Sequence, residues 1–312
     1  MISIIGTGYV GLCTGVGFAS LGNKVTCVDI DKSKVEKINK GEPVIYEKGL
    51  GELLRKVVNK NLTATINTSK AVEESEIIFI CVGTPSKEDG SIDTSYIESA
   101  AKDISAAIKK SNSYKTIVVK STVVPGTTEK VVLQILEKSG KKIGKDFGLA
   151  MNPEFLREGL ALEDFLHPDR IVVGEYDKRS GDILEKLYKS FNAPIVRTDI
   201  KTAEMIKYAS NAFLSTKISF SNEIANICEK LGIDVYNVMK GVGFDKRISP
   251  HFLNAGIGWG GSCFTKDLSA LINKADSVNY RPKMLEEVMS LNKKQRLKII
   301  EKLKNKTKIK GK

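Results

Sequence analysis

Ile2-Ser3-Ile4-Ile5-Gly6-Thr7-Gly8-Tyr9-Val10-Gly11 decides the fold of this chain. The first four residues read as a short buried strand. The glycines at G-x-G-x-x-G spacing read as a tight turn. The apolar run that follows to Leu21 reads as a helix closed by Gly22. Val25-Thr26-Cys27-Val28-Asp29 is a second strand with an acid at its end, 18 residues after Gly11. Strand, glycine turn, helix and acid form the dinucleotide fingerprint in the context it requires. The glycines admit close backbone approach, the helix N-terminus receives a pyrophosphate, and the carboxylate takes ribose hydroxyls. An acid at position 29 favours NAD over NADP. Gly6, Gly8, Tyr9, Val10, Gly11 and Asp29 are the candidate cofactor residues.

Outward from this unit, strands continue to alternate with helices: Ile77–Val82, Thr116–Lys120, Phe147–Met151 and Arg170–Gly174. Such alternation predicts an α/β fold with a doubly wound parallel sheet. The strands end in turn chemistry at Gly83-Thr84-Pro85, Ser121-Thr122-Val123-Val124-Pro125-Gly126 and Asn152-Pro153-Glu154. In such sheets the ligand lies beyond the carboxyl ends of the strands, which places Thr84, Thr122 and Glu154 around one crevice. The pattern changes at Ile200. Apolar residues then recur at helical spacing to Leu231, with no Pro or Gly until Gly232. A helix of that length, about 45 Å at 1.5 Å per residue, is a connector or an interface. Further helices are expected over 234–241, 265–278 and 283–304. The expected organisation is a dinucleotide-binding domain over 1–199, an all-helical central domain over 200–304 and a basic tail over 305–312.

With 41% hydrophobic and 28% charged residues in 312, the composition is that of a soluble globular protein of two domains. No apolar run is long enough to span a bilayer, and no basic segment precedes an apolar one at the N-terminus. A cytoplasmic protein with no membrane partner is expected. The net charge of +12 raises nucleic-acid binding. The lysines, however, are spread over amphipathic segments and mixed with Glu, as on a solvated Lys/Glu surface. Only Lys302–Lys312 carries six Lys and no acid. No nucleic-acid partner is expected, although the positive field would attract anionic nucleotides. Cys13, Cys27, Cys81, Cys228 and Cys263 are odd in number and scattered, without zinc spacing. Neither a metal nor a disulfide framework is expected.

Gly258-Trp259-Gly260-Gly261-Ser262-Cys263-Phe264-Thr265-Lys266-Asp267 delivers one cysteine to the start of a helix. A thiol there feels positive partial charge that favours the thiolate, and Asp267 at i+4 shares its helix face. That reads as a nucleophile with a partner. The segment alone fits a buried structural cysteine equally well. Lys207 and Asn211, four apart on the long helix, share a face, as solvated residues of a Lys-rich chain also would. Glu154 and Glu158 lie one turn apart if their segment is helical, where they could hold or activate water. Helix-start acids favoured by the dipole fit the same spacing. His167 and His251 have no metal-like neighbourhood.

Six motifs occur in one order. They are Gly6-x-Gly8-Tyr9-Val10-Gly11, Val82-Gly83-Thr84-Pro85, Ser121-Thr122-Val123-x-Pro125-Gly126, Asn152-Pro153-Glu154-Phe155, Lys207-x-x-x-Asn211 and Gly260-Gly261-Ser262-Cys263-Phe264-x-Lys266-Asp267. Together they resemble the UDP-glucose 6-dehydrogenase family of nucleotide-sugar dehydrogenases, over essentially the whole chain. Arg247-Ile248 and Phe252-Leu253-Asn254-Ala255-Gly256 resemble the UDP-glucose branch more than the GDP-mannose or UDP-N-acetyl-hexosamine branches. Family members usually continue into a second Rossmann-like domain that binds the UDP part. This sequence stops at Lys312, where that domain's first strand would start. Lys48 stands where proline is usual, and Thr265 where Pro or Gln is frequent.

The resemblance implies an N-terminal Rossmann-like domain and NAD-dependent oxidation of UDP-glucose to UDP-glucuronate in two hydride transfers. Cys263 would trap the aldehyde as a thiohemiacetal and then carry a thioester. Lys207 and Asn211 would stabilise oxyanions. Asp267, Thr122 and Glu154 would position or activate water, or act as base. Lys34, Asp29, Thr84, Thr122, Glu158 and Lys266 would lie on the NAD side. Glu154, Phe155, Leu156, Lys207, Asn211, Gly260 and Phe252–Gly256 would hold the UDP-sugar. Arg247 would reach the substrate of a neighbouring subunit. The long helix, bearing Met205, Ile206, Phe213, Ile218, Phe220, Ile224 and Ile227, is expected to form a homodimer core.

Three alternatives stay open: a dehydrogenase of another nucleotide sugar, a β-hydroxyacid dehydrogenase, and a non-catalytic NAD-binding assembly subunit. The β-hydroxyacid enzymes share the Lys-x-x-x-Asn pair but need no thiol, so Cys263 discriminates against them.

Overall fold

Ile2–Ile5 form β1, an interior strand of the sheet buried along its whole length, as its three isoleucines predict. The computed structural model describes residues 1–306. The basic tail expected over 305–312 therefore lies, from Thr307 on, outside the described residues. After β1 come α1 (Tyr9–Ser20), β2 (Val25–Val28), α2 (Lys32–Asn39), α3 (Leu50–Val57), β3 (Leu62–Thr65), α4 (Thr68–Glu74) and β4 (Ile77–Ile80). The second half of the sheet domain contributes α5 (Ser95–Lys110), β5 (Lys115–Val119), a π-helical segment (Thr128–Leu133) running into α6 (Gln134–Glu137), and β6 (Phe147–Met151). It closes with α7 (Ala161–Leu166), β7 (Ile171–Glu175), α8 (Lys178–Tyr188) and β8 (Ile195–Asp199). Four helices follow: α9 (Ile200–Leu231), α10 (Val235–Gly243), α11 (Ser262–Asp276) and α12 (Lys283–Lys306).

The eight strands form one sheet in the order β3-β2-β1-β4-β5-β6-β7-β8. Strand order reverses between β1 and β4, the switch point at which open α/β sheets bind ligands. All pairs are parallel except β6 with β7, which pair antiparallel through Ala150↔Glu175 and Met151↔Gly174 alone. The doubly wound, mostly parallel sheet is the one the strand–helix alternation predicts, and the β6–β7 pair is its antiparallel exception. An apolar run such as Ile171–Val173 reads the same in both directions, so sequence pattern carries no strand polarity. Where the short ladder ends, Asn152 continues it with a side chain, its Nδ2 donating to the Val172 carbonyl at 2.8 Å. β3 and β8, absent from the sequence reading, are edge strands with partly exposed residues and only two apolar side chains each.

Helices pack on the sheet around an aromatic cluster. Phe18 of α1 meets Phe165 of α7 edge-on, with ring centroids 5.1 Å apart. Phe79, Tyr188 and Phe191 complete that cluster. Gly17 of α1 faces the Phe165 ring so closely that a Cβ would collide with it.

The chain divides into two compact units. The first holds residues 1–85 and 93–207, and the second takes 86–92 and the residues from 208 on. The division falls inside α9. The start of α9 belongs to the sheet unit because Ala203 packs against Gly174 and Glu204 bonds the turn after β5. In the second unit Ala212, Trp259, Leu268 and Val288 form a small core, with Phe264 packed edge-on against Trp259 at 6.1 Å. Phe213, Phe220, Ile227 and Leu231 of α9 are exposed. Among the described residues, no helix is long and apolar enough to cross a membrane.

Candidate active site

The β1–α1 turn is built by close approach. Gly6 sits at φ +96°, and a Cβ on it would stand 2.9 Å from the Cys81 carbonyl oxygen. A Cβ on Gly11 would collide with the Gly6 carbonyl oxygen, whereas Gly8 faces open space. Gly8, the N-cap of α1, has no side chain with which to accept from the first-turn N–H donors. Asp29, at the end of β2, is nearly buried. Its Oδ2 accepts from the Thr7 N–H at 2.9 Å and the Thr7 hydroxyl at 2.5 Å, and its Oδ1 accepts from the Asp31 N–H at 3.0 Å. Burial alone would raise its pKa. The bonds from Thr7 and Asp31, with Lys34 at 3.7 Å, outweigh burial and hold it below the usual carboxylate range. An uncapped helix start, an obligate glycine cradle and an ionised acid at the next strand end fit a dinucleotide. Ile30, exposed beside Asp29, is an apolar neighbour that the sequence reading did not single out.

Tyr9 and Val10 open α1. The Tyr9 hydroxyl bonds the buried Glu47 carboxylate and accepts from the Gly159 N–H at 2.8 Å. Burial, then Glu47, pushes the phenol up to about 12. Thr84, beyond β4, donates from its hydroxyl to the Thr122 carbonyl at 2.9 Å, which joins two predicted crevice residues. The Asn152–Arg157 segment after β6 is not helical, and α7 starts only at Ala161. Glu154 and Glu158 are therefore not stacked. Glu154 is buried and Glu158 is exposed in a turn.

Glu154 instead pairs with Lys207 of α9, Oε1 to Nζ at 2.8 Å, both side chains being buried. Its Oε2 accepts from the Leu156 N–H at 2.6 Å. Burial would raise the Glu154 pKa, but Lys207 and the Leu156 bond overcome it and keep the acid ionised. The Lys207 ammonium lies 5.5 Å from the centre of the Phe155 ring. Two further charged groups here were missed from sequence. Lys120, fully buried at the end of β5, donates to Asn152 Oδ1 at 2.9 Å, and burial pulls its pKa down to about 8. The signal was a lysine closing an apolar strand. Glu204, one turn before Lys207, accepts from Gly126 N–H at 2.5 Å and Thr128 N–H at 2.8 Å, capping the π-helical segment. Burial raises its carboxyl to about 7. Nothing in the local sequence marks it.

The second unit carries the remaining predicted residues. Gly261, at φ +81°, caps α11 without a side-chain bond, and Cys263 is the second residue of that helix. Its thiol is exposed, while Cys13, Cys27, Cys81 and Cys228 are buried, and none of the five forms a disulfide. Asp267 is buried one turn below. Its Oδ2 accepts from Asn211 Nδ2 at 2.6 Å, and its Oδ1 pairs with Lys266 Nζ at 2.5 Å. Before α11, Phe252 holds φ +61°, a strained value for a bulky residue and one that concentrates at functional loops. Leu253 is buried, Asn254, Gly256 and Gly260 are exposed, and Ala255 is half-buried. Arg247 is exposed and paired with Asp245 at 2.6 Å.

The dinucleotide cradle at the switch point of a doubly wound sheet defines a Rossmann-type nucleotide-binding protein. Comparison sharpens that class. Residues 1–192 match the NAD binding domain of the UDP-glucose/GDP-mannose dehydrogenase family, and residues 201–294 match its central domain. The chain is 49% identical over 304 residues to the UDP-glucose 6-dehydrogenase TuaD of Bacillus subtilis (strain 168), covering 97% of this chain and 65% of that protein. A GDP-mannose 6-dehydrogenase of Pseudomonas syringae pv. tomato is 45% identical over 296 residues, covering 93% and 67%. The structure of a UDP-glucose dehydrogenase from the hyperthermophilic archaeon Pyrobaculum islandicum superposes with a TM-score of 0.90 at 43% identity, covering 94% of this chain and 67% of that one. The chain belongs to the UDP-glucose/GDP-mannose dehydrogenase family. NAD is the cofactor of its N-terminal domain.

Proposed function

We propose that the chain carries out NAD-dependent oxidation of the sugar C6 alcohol of UDP-glucose to the carboxylate, as a cytoplasmic homodimer. The observation that carries this reading is Cys263: the exposed one of five thiols, on the uncapped first turn of α11. NAD, when bound, would supply the hydride acceptor for each of the two oxidations, one molecule per step, with a proton released to solvent each time. Gly6, Gly8 and Gly11 with the α1 N-terminus would hold its pyrophosphate, and Asp29 its ribose hydroxyls. Lys34, Thr84, Thr122, Glu158 and Lys266 are the further residues proposed on that side.

The chain's own chemistry follows from charge and position. Once the alcohol is oxidised to an aldehyde, the Cys263 sulfur adds to the carbonyl carbon, and the carbonyl oxygen takes a proton. The resulting thiohemiacetal keeps the reactive aldehyde bound. Its oxidation leaves a thioester. Water adds there, the C–S bond breaks, and the carboxylate departs with the thiol restored. Lys207 and Asn211 donate to the oxygen as negative charge develops on it. Glu154, held ionised by Lys207, suits orienting that ammonium and a water. Asp267, acceptor to Asn211 and Lys266, orders the amide. Phe155, Leu156, Phe252–Gly256 and Gly260 are the proposed sugar-nucleotide contacts, with Arg247 reaching a neighbouring subunit. Five scattered cysteines, four of them buried as small core residues, are the observation that supports a reducing compartment. The exposed apolar residues of α9 support self-association.

A second reading replaces UDP-glucose with another nucleotide sugar, because a GDP-mannose 6-dehydrogenase is nearly as similar as the UDP-glucose enzymes. NADH release with a panel of UDP- and GDP-sugars tests both. UDP-glucose giving the highest kcat/KM supports the first reading. A GDP-sugar preference selects the second, and no release with any sugar leaves an NAD-binding assembly subunit.

A further inference from the structure

The segment from Phe252 to Gly261 is irregular until α11 starts at Ser262, yet its backbone is held at two points by side-chain amides. The Gly256 N–H donates to Asn222 Oδ1 at 2.7 Å, and the Gly256 carbonyl accepts from Gln295 Nε2 at 2.9 Å. The Trp259 N–H donates to Asn292 Oδ1 at 2.8 Å, and the Trp259 carbonyl accepts from Asn292 Nδ2 at 2.9 Å. One asparagine thus satisfies both backbone groups of Trp259, as a neighbouring strand would. The indole N–H donates to Ser219 Oγ at 2.9 Å. Between the two held residues Gly258 adopts φ +108°, and a Cβ there would collide with Asn292 Oδ1.

Asn222, Asn292 and Gln295 are all buried. Burying an amide is unfavourable unless its bonds are made. Asn292 and Gln295 bond through both amide atoms, Gln295 Oε1 accepting from Asn226 Nδ2 at 2.9 Å, whereas Asn222 bonds the loop through Oδ1 and its Nδ2 has no partner among the described residues. α12 supplies two of the three, although none of the chemistry assigned above uses that helix. Gly256 lies within the segment assigned to the sugar nucleotide, and Trp259 precedes Cys263 by one short glycine run.

We propose that Asn292 and Gln295 of α12, with Asn222 of α9, are positioning residues: they set the backbone of Gly256 and Trp259 and so order the sugar-nucleotide loop and deliver Cys263. The inference rests on the function proposed above. These amides act through the loop and touch no reacting atom.

Trp259 is the single tryptophan of the chain, so its fluorescence reports the loop directly. Asn292→Asp keeps the acceptor for the Trp259 N–H but turns the donor into an oxygen facing the Trp259 carbonyl. In protein folded by circular dichroism, red-shifted emission, faster exchange of the Gly256 and Trp259 amides, and altered alkylation of Cys263 by iodoacetamide are expected. The KM for UDP-glucose should rise about tenfold, the scale of one lost hydrogen bond, with the KM for NAD unchanged. Gln295→Leu should act in the same direction, and it carries the comparison if Asn292→Asp does not fold. Wild-type emission and alkylation in folded variants would overturn the proposal. So would a loosened loop with unchanged KM and alkylation, which marks scaffolding alone. A wild-type chain that oxidises no nucleotide sugar would sink the proposed function, while emission, exchange and alkylation still decide this inference.

Discussion

Glu154, just past the end of β6, and Lys207, in the second turn of α9, form a buried ion pair with Oε1 and Nζ 2.8 Å apart. Two ions out of water tolerate each other only as a pair, so removing one strands the other. Glu154→Gln should destabilise the fold by about 3–5 kcal/mol. Lys207→Met added to it should recover part of that loss. Urea unfolding of the single and double variants checks this; simple additivity would show that the pair is not coupled.

Asp29→Ala should weaken NAD by about 1.5–3 kcal/mol, the range for hydrogen bonds to a charged group. Because Asp29 also holds Thr7 and Asp31, Asp29→Asn serves as a milder comparison. Calorimetry with NAD decides, and unchanged affinity in both variants would remove Asp29 from the cofactor site.

Glu204 should give stability a pH slope. Its carboxyl lies near 7 in the fold against 4.5 for the ordinary group. Below pH 4.5 both states are protonated and the folded state carries no charge penalty. As pH rises towards 7 the unfolded chain ionises first, so stability falls, and above 7 the loss is complete. Glu129 and Lys201 face this region as a pair at 3.0 Å. Glu204→Gln should flatten the slope between pH 5 and 7 in thermal melts, and parallel wild-type and variant slopes would contradict the assignment.

Phe213, Phe220 and Ile227 are 63%, 49% and 50% exposed, more apolar surface than a lone helix usually leaves in water. Phe220→Asp should convert a dimer to monomers with the fold intact. Sedimentation velocity at micromolar protein checks it, and a monomeric wild type would end the dimer reading.

How much of this was legible beforehand depends on whether the signal was local. The β1–α1 turn and Asp29 were, because glycine spacing and a terminal acid specify geometry within a few residues. The extent of α9 was legible for the same reason, since Ile200–Leu231 lacks any breaker. The direction of β7 was not, because apolar runs have no polarity. Lys120 and Glu204 act through partners distant in sequence, Asn152 for one and Gly126 for the other, and no spacing rule announces such pairs. Glu158 failed as a partner for Glu154 because the segment between them never becomes helical.

Cys263 is the proposed nucleophile. Burial pushes the thiols of Cys13, Cys27 and Cys81 up to about 12, which makes them poor thiolate sources. The most direct test is the product formed from UDP-glucose and NAD by the wild type and by Cys263→Ser, analysed by mass spectrometry. The wild type should give UDP-glucuronate and the serine variant little or none, with NADH release stalling short of the second equivalent. Full conversion to the carboxylate by Cys263→Ser at the wild-type rate would contradict that role for Cys263.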